Sequence, residues 1–300
     1  MTLNGMKIGY ESILWIIVPV FDRHEISVKF IRQILRQNFG EFRIVVIDHG
    51  TRPLDICGVD DSRIVVLRRS PNLWWTGAVN EGVKYVIAES KCDQDLVLII
   101  NDDVQFEHTY LQSLVRIAID HPKMIIGSMC VYSDTGVIKN AGLSLHRLRA
   151  RFVSHHAGRP PSEVSEPLLS TDVLPGRGML VPLTVFARIG LFDQEHLPHY
   201  GADNEFSWRA KKQGFTLVVA TKSVVATQRR RPRTAESTTT FLSFITDKRK
   251  SGNLPAVAAF ASLCFSRPYA IYYTGVHFMR CTFSFLKGRL TKPKKEESEA

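Results

Sequence analysis

Cysteine is scarce in this chain and poorly spaced for chemistry. Cys57, Cys92, Cys130, Cys264 and Cys281 are odd in number and far apart, which argues against a disulfide framework or a cysteine-rich metal site and reads as buried thiols in a reducing cytosol. No apolar run reaches the ~20 residues that a bilayer-crossing helix requires. The N-terminal region lacks a continuous apolar segment with a small-residue cleavage site, so no secretory signal is expected and the location reads as cytoplasmic. No Gly-x-Gly-x-x-Gly run follows a strand-like segment, which argues against a Rossmann-type dinucleotide site. Excess charge is missing from most of the chain. Residues 1–221 hold 24 Lys/Arg and 24 Asp/Glu, whereas 222–300 hold 15 and 5 and so carry the whole formal +10. A basic footprint confined to one end suits a polyanionic partner, membrane or nucleic acid.

What is present is a repeated strand-then-helix pattern. β-rich runs at 13–20, 42–47, 63–67 and 95–100 alternate with helical spacing at 27–38, 76–89 and about 108–119. Such alternation predicts an α/β fold with a largely parallel sheet covered on both faces. After Pro122 the spacing predicts a strand at 124–131, a short hairpin within 136–145 and a loop or variable excursion over 147–170. Strand-like runs return at 174–181 and 217–219, separated by helices at 183–189 and 203–213, with Gly214 as a natural stop.

The most informative junction is the end of the run Leu96-Val97-Leu98-Ile99-Ile100, which passes abruptly into Asn101-Asp102-Asp103. A buried strand that delivers carboxylates to its C-terminal end places them where α/β proteins bind ligands. Carboxylates there can hold a hard divalent cation that neutralises phosphate oxygens. The alternative is a solvated strand-to-loop turn.

Several ordered motifs over residues 13–221 resemble the family 2 glycosyltransferases of GT-A fold, in particular their rhamnosyltransferase-like bacterial members. Trp15-Ile16-Ile17-Val18-Pro19-Val20 resembles the family's first strand. Ile44-Val45-Val46-Ile47-Asp48-His49-Gly50-Thr51 resembles its second strand and acidic nucleotide-binding turn. The stretch Asn72-Leu73-Trp74-Trp75-Thr76-Gly77-Ala78-Val79-Asn80-Glu81-Gly82 is similar to the Asn- and Gly-rich opening of the next helix. Asn101-Asp102-Asp103 stands in the place of the Asp-x-Asp motif, and Gly201-Ala202-Asp203-Asn204-Glu205-Phe206-Ser207-Trp208-Arg209 resembles the acceptor-side acidic motif.

The resemblance implies a GT-A fold with a mainly parallel mixed sheet. It implies a catalytic domain over 1–227, with a nucleotide-binding half to about 122 and an acceptor half from about 123. A basic, mostly helical extension with a disordered tail follows over 228–300. Asp103 is the implied ligand of Mg²⁺ or Mn²⁺, and Asp203 the implied base that removes the acceptor hydroxyl proton. Pro19, Asp48, Asn72, Trp75, Gly77, Asn80, Asn101, Asp102, Arg177 and Gly178 would line the donor, a UDP- or dTDP-sugar. Trp74, His199 and Glu205 would face the acceptor.

Each residue also has a structural alternative. Asp48 accepts the base's imide N–H or caps its own turn. Trp74 and Trp75 stack on sugar or base, or fill core and mouth. Asp203 doubles as a helix N-cap, and Glu205 holds the acceptor or a nearby Arg. Arg68 and Arg69 are alternative diphosphate partners, and Asp193 suits a loop role.

Two departures stand out: Ala202 replaces the Glu that often opens the acidic motif, and 223–228 contains no His where many members have one. The implied reaction is inverting transfer of a hexose or deoxyhexose, rhamnose favoured, to a surface polysaccharide or lipid-linked glycan. One rival is a sugar-1-phosphate nucleotidyltransferase, which wants a Gly-rich basic loop after the first strand. Another is an inactive transferase-like protein that binds membrane or nucleic acid, with Arg229-Arg230-Arg231-Pro232-Arg233 as its best evidence. Segments 254–266 and 268–279 lack Asp, Glu, Lys and Arg. They suit interfacial helices at an anionic membrane, with Arg280, Lys287 and Arg289 for headgroups, or helices packed on the domain. Nucleic acid is the less expected partner.

Overall fold

The computed structural model describes residues 12–56, 58–229, 240–248 and 253–290. Cys57, the Arg230–Arg233 cluster and the charged end at 291–300 lie outside the described residues, as do the side chains of 288–290.

The first half follows the expected alternation. Parallel strands β1 (Leu14–Val20), β2 (Phe42–Asp48), β3 (Ile64–Arg68) and β4 (Leu96–Ile99) are joined by helices α1 (His24–Leu35) and α2 (Trp74–Glu89). The two-residue strand β5 (Val104–Gln105) and helix α3 (Tyr110–Asp120) complete it. Residues of β1 alternate between two apolar layers. Trp15 and Ile17 join α2, while Leu14, Ile16 and Val18 join α1 and α3. Helix α1 begins three residues before the expected start: the Ser27 N–H closes the first turn on the Arg23 carbonyl at 2.9 Å, and the Ser27 hydroxyl reaches the same oxygen.

The second half departs from the expectations. Strand β6 (Met124–Tyr132) is followed by β7 (Ile138–Asn140) and β8 (Leu143–His146), which do not pair with each other as a hairpin. Strand β7 pairs with β6, and β8 pairs with β9 (Arg151–Ser154). The excursion expected at 147–170 therefore contains two strands, since β10 (Leu168–Ser170) adds to the main sheet against the later strand β12 (Thr216–Thr227). Such short edge strands leave no clear two-residue periodicity. Strand β11 (Met179–Pro182) is shorter than the expected 174–181 and runs antiparallel to both β4 and β6. Helices α4 (Leu183–Ile189) and α5 (Ala202–Lys212) follow, and β12 runs far beyond the expected 217–219 with a register shift between Ala220 and Val224. The main sheet runs β10-β12-β6-β11-β4-β1-β2-β3, mixed and mainly parallel.

The C-terminal segment forms α6 (Phe241–Thr246), α7 (Leu254–Cys264) and α8 (Arg267–Leu290). The described helices lie on the α/β body. Phe260, Ala261 and Cys264 join the core, and the Trp208 indole N–H donates to the Cys264 carbonyl at 3.0 Å. Tyr269 donates to the Arg147 carbonyl at 2.9 Å, Tyr272 to that of Leu148 at 2.5 Å, and Arg280 to that of Ala150 at 2.7 Å. Among the described residues no helix is long and apolar enough to cross a membrane.

Candidate active site

The site gathers where β1, β2 and β4 end and the loop before β11 returns. Only Phe21-Asp22-Arg23 separates β1 from α1. Asp22, at φ +47°, accepts from the Thr51 backbone N–H at 2.7 Å and the Thr51 hydroxyl at 2.9 Å, tying the β1 exit to the β2 exit. Pro19 is buried in β1 opposite Ile47. Asp48 ends β2 with its carboxylate accepting from the N–H groups of Gly50 (3.1 Å) and Leu54 (2.7 Å), and it is paired with Arg68 at 2.8 Å. The turn-capping role and the Arg68 pairing are thus both present. Arg69 is held by Glu81 at 2.9 Å. His49 is buried beside Phe21, and desolvation lowers its pKa from 6.5 to about 4.

The three residues after β4 diverge. Asn101 accepts the Trp75 indole N–H at 2.8 Å. Asp102 turns inward under α1, where Ser27 donates at 2.6 Å and Arg23 at 2.5 Å, and its side chain has 0% exposure. Burial raises its pKa, against the opposing charge of Arg23. Asp103 keeps 20% exposure and lies 3.5 Å from the same guanidinium. The strand end therefore presents one carboxylate outward.

Trp74, at φ +54°, forms the corner between the 3₁₀ turn Pro71–Leu73 and α2. Its ring lies 5.7 Å from that of His199, and the latter lies 4.5 Å from Tyr200. Trp75 instead covers Gly176. A Cβ on Gly176 would sit 2.5 Å from the indole, so glycine is required for this close approach. The Gly176 N–H in turn donates to Asp203 at 2.9 Å, and the Asn204 N–H holds the other Asp203 oxygen at 2.9 Å. The contacts Asn101–Trp75–Gly176–Asp203 thus join the strand-end triplet to the N-terminus of α5. The Asp203 carboxyl is densely surrounded yet keeps some solvent access, and desolvation raises its pKa against those two hydrogen bonds and the Arg177 charge. The Arg177 Nε is buried with no hydrogen-bond partner among the described residues. Gly178, at φ +85°, packs against Tyr110 and Ser128, where a Cβ would lie 2.4 Å from each hydroxyl.

Other expected residues have structural work. Glu205 is buried and held by Arg209 through contacts at 2.8 and 3.0 Å, and Arg209 also donates to the Leu191 carbonyl at 2.9 Å. Here the nearby-Arg alternative is what the structure displays. Asn80 binds both the N–H and the carbonyl of Phe192, at 3.0 and 2.9 Å. Gly77 lies beside Leu73 within the same helix opening, and Asn72 is exposed on the preceding turn. Asp193 holds His196 at 2.9 Å, the loop role expected of it.

Sequence reading missed Arg23, Ser27 and Asp22. Their only signal was position, immediately after a strand whose end carries the site. Among the described residues no three His, Cys, Asp or Glu side chains converge as a metal cage. One outward carboxylate suits a hard cation whose other ligands come from phosphate oxygens and water.

A profile of the family described as "Glycosyltransferase like family 2" matches residues 12–250. No curated protein sequence matches the chain. The fold is similar to that of GalNAc-T7 solved with UDP, GalNAc and Mn²⁺, at TM-score 0.61 and 12% identity over 85% of this chain and 48% of that one. This chain therefore spans about half the length of GalNAc-T7. It is also similar to the mannosyltransferase PcManGT from Pyrobaculum calidifontis in complex with GDP-Man and Mn²⁺ (TM-score 0.53, 11% identity, 95% and 77% of the two chains). Residues 1–349 of S. aureus TarS give TM-score 0.51 and 13% identity over 95% and 76%. At these identities the likeness establishes the fold.

Proposed function

This chain belongs to glycosyltransferase-like family 2, and from that premise we propose that it is an inverting, metal-assisted transferase. It moves a hexose or deoxyhexose, rhamnose favoured, from a UDP- or dTDP-sugar to a cell-surface polysaccharide or lipid-linked glycan. The observation that carries this reading is the continuous contact from Asn101 through Trp75 and Gly176 to Asp203. It ties the strand end that carries Asp103 to the first turn of α5 that carries Asp203.

Asp203 accepts the acceptor hydroxyl proton as the new glycosidic bond forms on the face opposite the departing diphosphate. A base aligned within hydrogen-bond reach suffices, because that hydroxyl becomes strongly acidic only in the transition state. The N–H groups of Gly176 and Asn204 hold the carboxylate in one orientation, and its raised pKa makes it a better base than an exposed Asp. Asp103 would hold Mg²⁺ or Mn²⁺, which when bound supplies positive charge to the leaving diphosphate. Arg177 offers a further cation beside Asp203. Asp48 and Pro19 border the base, and Trp74 with His199 forms the aromatic wall for the acceptor. Asp102 positions Arg23 beside Asp103. The protein works at the cytoplasmic face of the membrane, with its C-terminal helices towards the lipid.

The nucleotidyltransferase alternative finds little support in a β1–α1 connection of three residues without glycine. A panel of nucleotide-sugars screened for thermal stabilisation, with and without Mn²⁺, tests the proposal, since stabilisation follows occupancy. A UDP- or dTDP-hexose should stand out. Stabilisation by none of them, together with no transfer or donor hydrolysis, would overturn the reading.

A further inference from the structure

Helix α8 buries one face and leaves the other apolar. Ala270, Tyr273, Cys281 and Phe285 face the protein, spaced three, eight and four residues apart as one side of a helix requires. Tyr272, Met279, Phe283 and Leu286 on the far side and Ile271 on its flank are all exposed, Ile271 by 68% and Phe283 by 72%. From Ile271 to Leu286, at 1.5 Å per residue, this face is roughly 22 Å long, and its basic residues on α8 are Arg267, Arg280 and Lys287. Beside it stands Leu148, 83% exposed at the tip of the β8–β9 turn. The carbonyls of that turn are clamped to α8 by Tyr269, Tyr272 and Arg280. Two segments more than 100 residues apart therefore present one apolar surface of fixed geometry.

We propose that the outer face of α8 and the Leu148 turn form one docking surface for an anionic lipid bilayer, lying in its interface rather than crossing it. An exposed apolar stripe of this extent marks an interaction surface. Its surroundings choose the occupant. Among the described residues Arg267, Arg280 and Lys287 stand on α8 itself, and Arg147, Arg149 and Arg151 flank Leu148 on the turn. Apolar insertion bordered by basic side chains is the pattern of an interfacial helix on anionic headgroups. A second copy of the same face would bring like charges together. Helix α8 packs on α7, and α7 in turn packs on α5. Phe260 of α7 lies about 4 Å from where a Gly201 Cβ would be, two residues before Asp203. A membrane on α8 would thus be linked through α7 to the helix that carries Asp203, the end at which a lipid-linked acceptor is to be presented. The inference rests on the proposed transferase role only for this last point, because lipid binding is measured without donor or turnover.

The full chain is sedimented with vesicles of phosphatidylcholine alone and with vesicles containing phosphatidylglycerol, across a salt series. The expected result is binding to the anionic vesicles, part of which resists high salt. Ile271→Glu combined with Met279→Glu and Phe283→Glu should weaken that binding on the order of 100-fold, with an unchanged melting curve. Leu148→Ser, on a separate element, should weaken it less, and Ile87→Glu, exposed on α2, should not change it. Binding by the triple variant equal to that of the unmodified chain would overturn the proposal. So would binding abolished entirely by salt, or no lipid binding together with a dimer that the triple substitution dissociates. A separate failure of the nucleotide-sugar panel would overturn the enzyme reading and leave the lipid result standing.

Discussion

The guanidinium of Arg23 donates to the buried carboxylate of Asp102 at 2.5 Å while its other nitrogen lies 3.5 Å from Asp103. An internal cation therefore stands between two adjacent carboxylates at the end of β4. Replacing it with a neutral side chain, Arg23→Gln, leaves Asp102 with Ser27 alone. The expected loss of stability is about 1–2 kcal/mol, held down by the partial exposure of Arg23 to screening water. Mn²⁺ binding without donor should tighten, because the competing charge is gone. Calorimetric melting and Mn²⁺ electron paramagnetic resonance check the two halves separately, and unchanged Mn²⁺ affinity would show that Arg23 does not compete at Asp103.

Asp103→Ala removes the one carboxylate of the triplet that faces outward. Metal-supported turnover should be lost while the melting temperature stays near that of the unmodified chain. Donor binding should lose most of its divalent-ion dependence, readable by calorimetry with and without Mn²⁺. Near-normal turnover at low Mg²⁺ or Mn²⁺ would remove Asp103 from the role.

Asp203→Asn keeps an oxygen for the Gly176 N–H but removes basicity. Donor affinity should hardly change, while transfer falls by about 10²–10⁴-fold, the usual worth of positioned proton transfer. The raised pKa of Asp203 also fixes a sign. The active form is the carboxylate, so the rate should fall as pH drops through that raised value. A pH–rate profile should show this acid limb in the unmodified chain and its absence in the variant. A selective chemical defect in Glu205→Gln instead would move the base to Glu205.

Gly176→Ala places a methyl 2.5 Å from the Trp75 indole. Either the indole leaves Asn101 or the loop withdraws its N–H from Asp203, at a cost of about 1–3 kcal/mol for overpacking. The loss in kcat should exceed what that modest destabilisation explains, measured at a temperature well below melting. Unchanged kinetics would show that the two halves of the cleft are not coupled through this contact.

His49 gives a pH prediction for stability. Its pKa is about 4 in the folded chain against 6.5 for the free side chain, so between those values the unfolded state binds more protons. Stability from this residue is complete above pH ~6.5 and declines as pH falls towards 4. His49→Gln should flatten that part of the melting-temperature profile, and an equally steep profile in the variant would assign the loss to other groups.

Much was legible because it depends on near neighbours along the chain. Alternating apolar runs and their turn residues placed β1 to β4, α2 and α5 within a few positions, since strand and helix periodicity are local properties. The termination of an apolar strand in Asn101-Asp102-Asp103, and Asp203 at the first turn of a helix, were likewise visible in order. The strands β9 and β10 were not, because short edge segments owe their conformation to a partner across the sheet rather than to their own pattern.

Amino-acid order alone thus determined the α/β alternation, the candidate carboxylates and the concentration of positive charge in the last 79 residues. The tertiary structure decided which of those groups keep solvent access. Asp102 and Asp103 are chemically identical neighbours, yet one is buried by Ser27 and Arg23, each more than 70 positions away, and the other is not. Glu205 was equally plausible as an acceptor ligand until Arg209, itself anchored on the Leu191 carbonyl, engaged both of its oxygens. The apolar content of 268–279 was plain, but only the docking of Tyr273 and Cys281 against the body left Ile271, Met279 and Phe283 on the outside. Desolvation and hydrogen-bond satisfaction depend on every atom within a few ångströms, and those atoms come mostly from distant parts of the chain.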